Sequence, residues 1–383
     1  MQQAVIAGYV RTPFHFARKG ALAEVRPDDL AGLVVKELVA RTGVDPATLE
    51  DVLFGCAHPE AEQGNNIARI AVLLAGLPIE VAGMTVNRFC GSSMSAIHIA
   101  AGQIAIGAGE AFVAGGVESM TRVPQGGFNF SPNHRFKGFP EADLMTEAYI
   151  AMGQTAENVA AQYGVSRADQ EQLAFASQQK AAAAQAAGRL KDEIVGVMTP
   201  AGLVDVDGCL RPQTTLEGLA GLKPAFRPDG SVTAGTSSPL TDGAAATLVT
   251  SEDYAARNGL EVLARIRAVA AAGCPPEIMG MGPVPATRKA LARAGLTIDD
   301  IDVVEINEAF GSQSVACVRE LGIPWEKVNI DGGGIAIGHP LGATGARITA
   351  KAAQIMKREG KRFALSTQCI GGGQGVATIL EAV

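Results

Sequence analysis

The chain repeats its own succession of helices and strands, and no other feature of the sequence constrains the fold as strongly. A helix, a glycine and a strand over residues 30–55 recur in the same order over residues 287–306. A valine–asparagine pair at residues 86–87 recurs at residues 328–329, each time just ahead of a glycine-containing motif. One repeat at such a long interval excludes a short-period solenoid and indicates a duplicated α/β half.

The repeat divides the chain into two halves and a segment between them. Strands alternate with helices in both halves, which predicts two α/β units whose strands run mainly parallel. We place the N-terminal half in residues 1–118, completed by residues 242–262, and the C-terminal half in residues 263–383. The intervening residues 119–241 are richer in glutamine, proline, asparagine and arginine, with one alanine-rich helix over residues 167–187. We predict that this segment is an inserted domain that caps the duplicated core.

Glycine is unusually frequent in this chain. It accounts for 46 of the 383 residues, whereas ordinary proteins contain about 7%. These glycines follow no three-residue period and lie among alanine, valine and isoleucine, which excludes collagen and argues against a disordered linker. We therefore expect them to serve tight turns and close backbone approaches inside a packed fold.

The charge and the chain ends limit the partners and the location of the protein. A formal net charge of −7 argues against general nucleic-acid binding. It leaves room for a phosphorylated ligand, which needs only a few local cations. No apolar run is long enough to cross a membrane without a charge, and neither end carries a targeting signal. We therefore expect a cytoplasmic protein without a membrane span.

The six cysteines show no C-x-x-C pair and no histidine at zinc-ligand spacing. In a large chain without an export signal, a disulfide framework is not expected, and we predict no metal site. Cys317 lies in the middle of an apolar helix, where packing explains it. Two others, Cys90 and Cys369, stand next to glycines at predicted strand ends, which is a setting that suits chemistry.

The segment around Cys90 has the pattern of a nucleophile elbow. A strand ends, a sharp turn holds the cysteine, small residues follow, and a helix begins over residues 86–94. The partial positive charge of a helix N-terminus favours the thiolate over the thiol. A small apolar residue packed at a strand–helix junction would give the same pattern, so this motif alone leaves both interpretations open.

The other motifs also have a structural interpretation beside the chemical one. His339 lies in a glycine-rich loop over residues 332–346, where packing gives little reason for an imidazole. The glycines could instead bind phosphate with the histidine as a bystander, although the spacing does not match a P-loop. Cys369 ends a strand before three glycines, and Asn307 would most commonly serve as a helix N-cap.

Taken in order, these motifs resemble those of the thiolase family. The matching segments are NRFCGSS at 87–93, ESM at 118–120, TAGTSS at 233–238, NEAF at 307–310, GHP at 338–340 and CIGGG at 369–373. The resemblance covers residues 5–380, essentially the whole chain. It implies an α/β thiolase fold, with two βαβαβαββ halves in an αβαβα layered core and an inserted loop domain that binds coenzyme A.

The resemblance also implies an activity, which is acyl transfer with coenzyme A as a substrate and with no separate cofactor. Cys90 would be the nucleophile and His339 its base, while Cys369 would move the proton at carbon. The enolate oxygen would be held by His339 and a water on Asn307. Backbone N–H groups of Cys90 and Gly371 would hold the tetrahedral oxyanion.

Further residues are expected to bind the substrate by their motif positions. Arg211 would lie near the adenosine phosphates, Phe226 would line the adenine or pantetheine path, and Ser238 would contact the pantetheine amides. The acyl pocket would be lined by Met152, Met279 and Phe310.

Within the family, two branches differ in the reaction direction they serve. Biosynthetic members, which make acetoacetyl-CoA, commonly carry histidine where this chain has Ala151. The NRFCGSS form and the loop at residues 123–130 look more like degradative 3-ketoacyl-CoA thiolases of fatty acid β-oxidation. We therefore favour an acetyl-CoA C-acyltransferase of that branch, with the biosynthetic enzyme as the alternative. The resemblance also suggests a homotetramer built from dimers, and it allows a hydratase–dehydrogenase partner subunit.

Three other classes of protein are alternatives to this interpretation. A β-ketoacyl carrier-protein synthase shares the duplicated fold, but it uses two histidines where this chain has Asn307 and Cys369. An inactive CoA-binding scaffold would have lost at least one of the four catalytic groups, and all four are present. A cysteine hydrolase would need neither Cys369 nor a glycine-rich CoA path.

Overall fold

The computed structural model describes residues 2–123 and 131–383. The N-terminal half begins with β1 (Ala4–Arg11), β2 (His15–Phe16), α1 (Pro27–Thr42), β3 (Asp51–Gly55), α2 (Ile67–Leu74), β4 (Ala82–Val86), α3 (Ser92–Ile106) and β5 (Ala111–Glu118). The segment between the halves contains α4 (Met152–Gln162), α5 (Arg167–Ala186), β6 (Val197–Thr199), β7 (Gly202–Val204) and α6 (Leu216–Ala220). The N-terminal half is completed by β8 (Thr241–Ser251) and α7 (Glu252–Arg257).

The C-terminal half repeats the succession of the first. It contains β9 (Ala264–Gly273), α8 (Pro283–Ala294), β10 (Val303–Ile306), α9 (Gly311–Leu321), α10 (Gly334–Ile337), α11 (Leu341–Arg358), β11 (Phe363–Ile370) and β12 (Gln374–Glu381). Most of the loop at 123–130, which favoured the degradative branch, falls outside the described residues. The domain boundaries stay a prediction.

The strand order confirms that the α/β architecture is duplicated. In the N-terminal half the strands lie in the order β4-β3-β5-β8-β1, and in the C-terminal half in the order β10-β11-β12-β9. Val328 pairs in parallel with Val304 of β10, just as β4 pairs with β3. The two halves join where Val5 and Ile6 of β1 pair with β9.

The expectation of mainly parallel strands is wrong. Among the described residues, β3 pairs parallel with β4 and β5, and β10 with β11, whereas β1, β8, β9 and β12 pair antiparallel with their neighbours. The reason is that β11 and β12 are joined by a tight glycine turn instead of a helix, and a tight turn can only produce an antiparallel pair. Residues 328–330, which hold the position of β4 in the repeat, form a bridge at Val328 and no strand in the part of the chain that the structure describes.

Two helices lie between the halves, and apolar cores on both faces of the sheets hold the layers together. α3 and α11 pack on each other, and α11 also packs on β5 and β8 of one half and on β10 and β11 of the other. α1 and α2 cover the outer face of the N-terminal half, and α8 and α9 cover that of the C-terminal half. The resulting order of layers, αβαβα, is the one predicted.

The central helices approach closely because small residues line their contact. A Cβ added to Gly345 of α11 would overlap the backbone of Met94 on α3. Nearby, the Ala346 N–H donates to Ser93 Oγ at 2.9 Å. The N-termini of α3 and α11, which follow the Cys90 and His339 motifs, are thereby held side by side.

The expectation that no uncharged apolar run is long enough to cross a membrane is wrong, because Phe89–Ile106 is long and apolar enough by length and composition. It consists of α3 and the turn before it, and half of it is buried inside the protein. Such a stretch is what a central helix packed between two sheets requires.

Candidate active site

The Cys90 turn is held in a constrained conformation between β4 and α3. Phe89 has φ of 43°, a left-handed value that is costly for a bulky residue and persists only where the surroundings enforce it. Asn87 Oδ1 accepts the Phe89 N–H at 2.9 Å. Ser92 Oγ accepts the Arg88 N–H at 2.9 Å and donates to the Phe89 carbonyl at 2.6 Å. These bonds fix the cysteine just ahead of the α3 N-terminus.

The thiol of Cys90 meets the backbone of the second cysteine motif. The Gly371 N–H, just after β11, lies close enough to the Cys90 sulfur to lower its pKa. Burial raises the pKa of Cys90 to about 11; the Gly371 N–H works against this rise, and the Glu118 carboxylate adds to it. The group therefore rests as a thiol, next to an N–H that could receive negative charge.

His339 is 5% exposed and is held at both ring nitrogens. Asn307 Nδ2 lies 3.2 Å from Nε2, and Thr344 Oγ1 lies 2.7 Å from Nδ1. With this amide orientation Asn307 donates to Nε2, so the ring proton is on Nδ1. Burial lowers the pKa of His339 to about 3, and the Arg347 charge adds to the effect. His339 is therefore a neutral imidazole, and its unprotonated Nε2, which accepts the Asn307 N–H, is the nitrogen that could take up a proton in exchange for that hydrogen bond.

Asn307 is not an N-cap, because α9 begins only at Gly311 and Phe310 occupies the cap position. Its N–H instead donates to the Thr367 carbonyl at 3.0 Å, which extends the pairing of β10 with β11. Its buried Oδ1 has no partner among the protein atoms described. Asn307 thus presents an open acceptor beside His339.

Cys369 lies at the end of β11 and is 1% exposed. It belongs to an apolar cluster that also contains Met279 and Phe310, with Met152 packed against it. Burial, and then the neighbouring Cys90, raise the pKa of Cys369 well above its usual range. The structure thus brings the three predicted acyl-pocket residues together around a second protonated thiol.

Two of the predicted CoA-binding residues lie beside this pocket. Phe226, 38% exposed, packs edge-on against Phe310 with ring centroids 5.9 Å apart. The N–H and Oγ of Ser238 both donate to the Ala309 carbonyl, at 3.0 and 3.1 Å. Both residues therefore adjoin the NEAF motif.

Arg211 contacts an aromatic ring at the surface. Its guanidinium stacks 4.8 Å from the ring centroid of Phe16, and the Lys19 ammonium lies 4.7 Å from the same centroid. It lines a separate groove of about 370 Å³ together with Leu222 and Gly235. Two cations on one aromatic ring make this a basic point on the surface.

The structure does not join the predicted nucleophile directly to its base. Within residues 2–123 and 131–383, no hydrogen bond connects Cys90 to His339. Catalytic hydrogen bonds are often long in ligand-free enzymes and tighten when substrate binds. The relative position of these two side chains is therefore set by the backbone that carries them.

Three residues that hold the site had no predicted role. Gln368 Nε2 donates to the Cys90 carbonyl, Thr344 orients His339, and Thr241 Oγ1 accepts the His339 N–H at 3.0 Å. Their partners are distant along the chain or lie one turn away. The GHP motif and the polar residue before Cys369 were the only signals that could have indicated them.

Known proteins match this chain over its whole length. The family model described as thiolase, N-terminal domain, matches residues 4–253, and that described as thiolase, C-terminal domain, matches residues 260–382. A 3-ketoacyl-CoA thiolase of Bacillus subtilis (strain 168) is 47% identical over 394 residues, and one of Shewanella denitrificans is 48% identical, each covering 100% of both chains. One of Pseudoalteromonas translucida is 47% identical with the same coverage. The chain belongs to the thiolase family.

Proposed function

We propose that this protein catalyses the CoA-dependent thiolytic cleavage of 3-ketoacyl-CoA to acetyl-CoA and a shortened acyl-CoA, the degradative reaction of its branch. The observation that carries the proposal is the pair of thiols: Cys90 lies against the Gly371 N–H and close enough to Cys369 to raise its pKa, and His339 is a neutral imidazole. A single thiol would suffice for hydrolysis, whereas protonating a carbon leaving group requires a second acid. The names of the full-length relatives support the same reaction.

The first half-reaction would transfer the acyl group to Cys90. The sulfur attacks the C3 carbonyl and its proton passes to His339 Nε2, while N–H groups of Cys90 and Gly371 stabilise the oxyanion. Losing one such donor typically costs about 2.7–4 kcal/mol of barrier. The C2–C3 bond then breaks and the Cys369 thiol protonates the acetyl-CoA enolate at carbon. His339, together with a water on Asn307, would hold the enolate oxygen.

The second half-reaction would pass the acyl group to free coenzyme A. The CoA thiol loses its proton to the Cys369 thiolate, and its sulfur attacks the acyl-thioester. Collapse of the tetrahedral intermediate releases acyl-CoA and a Cys90 thiolate, which recovers its proton from His339. Both thiols and the imidazole are thereby restored.

The substrate would lie across the surface between the separate groove and the acyl pocket. Arg211 would bind the adenosine phosphates, Phe226 would line the pantetheine path, and Ser238 would contact the pantetheine amides. The acyl chain would enter the cluster of Met152, Met279 and Phe310, whose flexible thioethers adapt to chains of different length.

A thiolysis assay across 3-ketoacyl-CoA chain lengths, run beside acetoacetyl-CoA synthesis, tests the proposal. We expect CoA-dependent cleavage of substrates longer than acetoacetyl-CoA. Activity confined to acetoacetyl-CoA would favour the biosynthetic alternative. Thioester hydrolysis without CoA, or decarboxylation of a malonyl-thioester, would instead support the hydrolase or the synthase.

We further propose a cytoplasmic homotetramer built from dimers. Six free cysteines are consistent with a reducing compartment. β4 is the outermost strand of its half and exposes Met84, with Ile79 just before it, so its open edge could pair with a second copy. Sedimentation velocity should give a tetramer, and Met84→Lys should shift it to smaller species; a monomeric parent would contradict the proposal.

Co-purification would show whether a hydratase–dehydrogenase subunit binds as well.

A further inference from the structure

Glu118, a buried carboxylate outside the proposed catalytic set, contacts both halves of the molecule. It ends β5 and is fully buried. Its Oε2 accepts the N–H groups of Ala57 at 2.8 Å and Gly342 at 2.9 Å. Its Oε1 accepts the His58 N–H at 3.2 Å and Gln63 Nε2 at 2.7 Å. All of these partners are donors, which is the arrangement that a carboxylate requires.

One arm of this network reaches the nucleophile turn. The Ala57 carbonyl, beside the N–H bound by Glu118, accepts Asn87 Nδ2 at 3.2 Å. Asn87 Oδ1 in turn accepts the N–H of Phe89, the residue with the left-handed φ just before Cys90. The strained turn is therefore anchored to Glu118 through a single intervening backbone segment.

The other arm reaches the loop that carries the base. Gly342 lies in the first turn of α11, between His339 and Thr344, the residue that binds the imidazole Nδ1. A Cβ added to Gly116 would overlap the Gly342 carbonyl, and one added to Gly342 would lie 2.7 Å from the Gly55 carbonyl. The start of α11 is therefore seated on β3 and β5 without room to slip.

We propose that Glu118 is a positioning residue that fixes the Cys90 turn of the N-terminal half against the His339 loop of the C-terminal half. Because no direct hydrogen bond joins the two side chains in the described structure, this shared carboxylate sets their alignment for proton transfer. The inference rests on the proposed function, since it takes Cys90 and His339 as a nucleophile and its base.

Glu118→Gln tests this role, because it keeps the size of the side chain and replaces one acceptor by a donor that faces N–H groups. We expect kcat for thiolysis to fall about 10- to 100-fold, as misplacement by about 1 Å does, with both KM values within about twofold. Single-turnover acylation of Cys90 by a 3-ketoacyl-CoA should slow in the parent background, although loss of the Glu118 charge by itself lowers the pKa of that thiol. It should not slow further in His339→Ala, because residues that act as a unit are not additive.

Asp302→Asn is the matched control. Asp302 Oδ2 also accepts two backbone N–H groups, those of Arg362 at 3.0 Å and Phe363 at 3.1 Å, but at the end of β11 opposite Cys369. Its kcat should stay within about twofold of the parent.

Asn87, which is exposed, provides a second variant. Asn87→Ala removes only the hydrogen bonds that connect the Cys90 turn to Ala57, and it should lower kcat about 10-fold at unchanged KM.

The outcomes separate the two proposals. If Glu118→Gln does not fold, the kcat of Asn87→Ala decides the matter. Parental kcat in the variants, a raised KM at constant kcat, or equal slowing of acylation with and without His339 would overturn the positioning role. A parent enzyme that cleaves no 3-ketoacyl-CoA would overturn the proposed function instead.

Discussion

At the scale of single residues, burial governs the charge state of the site. It raises the pKa of Cys90 to about 11 and lowers that of His339 to about 3, so the two groups rest as neutral thiol and neutral imidazole. The thiolate fraction grows as pH rises toward the thiol pKa. We therefore predict that iodoacetamide alkylation of Cys90 in the free enzyme keeps accelerating above the ordinary thiol pKa of about 8.5. Peptide mass spectrometry measures the alkylation rate at each pH, with Cys90→Ala as the control. A rate that reaches its plateau below about pH 8 would contradict the prediction and indicate a thiolate–imidazolium pair.

Two adjacent glycines should respond differently to alanine. A Cβ on Gly371 would lie 3.6 Å from Met152 Sδ and 3.7 Å from the Phe89 ring, which are ordinary contacts. Gly371→Ala should therefore keep its Tm but lower kcat/KM about 10-fold, because the methyl group narrows the thioester path. Gly372 has φ of 78° in open space, so Gly372→Ala should lose about 1–2 kcal/mol of stability. Thermal unfolding and thiolysis together test the pair; a reversed pattern would contradict it.

The candidate catalytic residues could be predicted from the sequence because cysteine and histidine are scarce and the motifs occur in the order of the family. The residues that hold them in place could not be predicted. Gln368 binds the Cys90 carbonyl from 278 positions away, and Glu118 binds Gly342 from 224 positions away. The N-cap role expected for Asn307 was wrong for the same reason, because its backbone pairs with Thr367 of β11, which is distant along the chain. Contacts across the two halves cannot be inferred from local pattern.

At the scale of elements, helix and strand boundaries followed local signals while strand direction did not. α1 starts at Pro27 with Asp28 and Asp29 in its first turn, and Gly43 ends it in the left-handed conformation with φ of 69°. Direction depends on how a strand is connected and on which neighbour it pairs with. The β11–β12 turn and the insertion before β8 therefore changed the predicted sheet.

The seating of α11 on β5 gives a prediction for that contact. A Cβ on Gly116 would overlap the Gly342 backbone, which cannot move aside. We expect Gly116→Ala to lower the free energy of unfolding by about 1–3 kcal/mol, as overpacking does. Gly102 of α3 is the control: it is exposed with no neighbour within 4 Å, so Gly102→Ala should stabilise by about 0.4–1 kcal/mol. Urea unfolding gives the free energy of unfolding of both variants. Equal changes in that free energy would contradict this packing.

At the scale of the whole molecule, buried charges tie the inserted segment to the core. Arg11 of β1 is fully buried and binds Glu193 and Asp207, each at 2.7 Å, while Lys351 of α11 binds Glu193 at 3.0 Å. Removing Arg11 leaves buried Asp207 without its cation and leaves Glu193 with Lys351. We predict that Arg11→Met destabilises the protein by about 3–5 kcal/mol at pH 7.

The pH dependence of that loss follows from Glu193. Burial alone would raise its pKa, but the charges of Lys351 and Arg11 outweigh burial and lower it. The stabilisation is therefore present above the unfolded pKa of about 4.3 and lost as pH falls through the folded value. Unfolding midpoints should converge for Arg11→Met and parent in acid. Arg257→Met, which removes an exposed ion pair with Glu110, is the control, and its unfolding midpoint should match that of the parent at either pH. A loss of stability in Arg11→Met that does not change with pH would contradict this prediction.

The division of labour between the two cysteines is tested most directly by Cys369→Ala incubated with acetyl-CoA in deuterated water and followed by mass spectrometry. The account predicts an acetyl group on the Cys90 peptide and no deuterium in the acetyl-CoA methyl group, because the nucleophile remains while the acid–base thiol at carbon is gone. Deuterium uptake at the parental rate, or an acetyl group absent from Cys90, would contradict it.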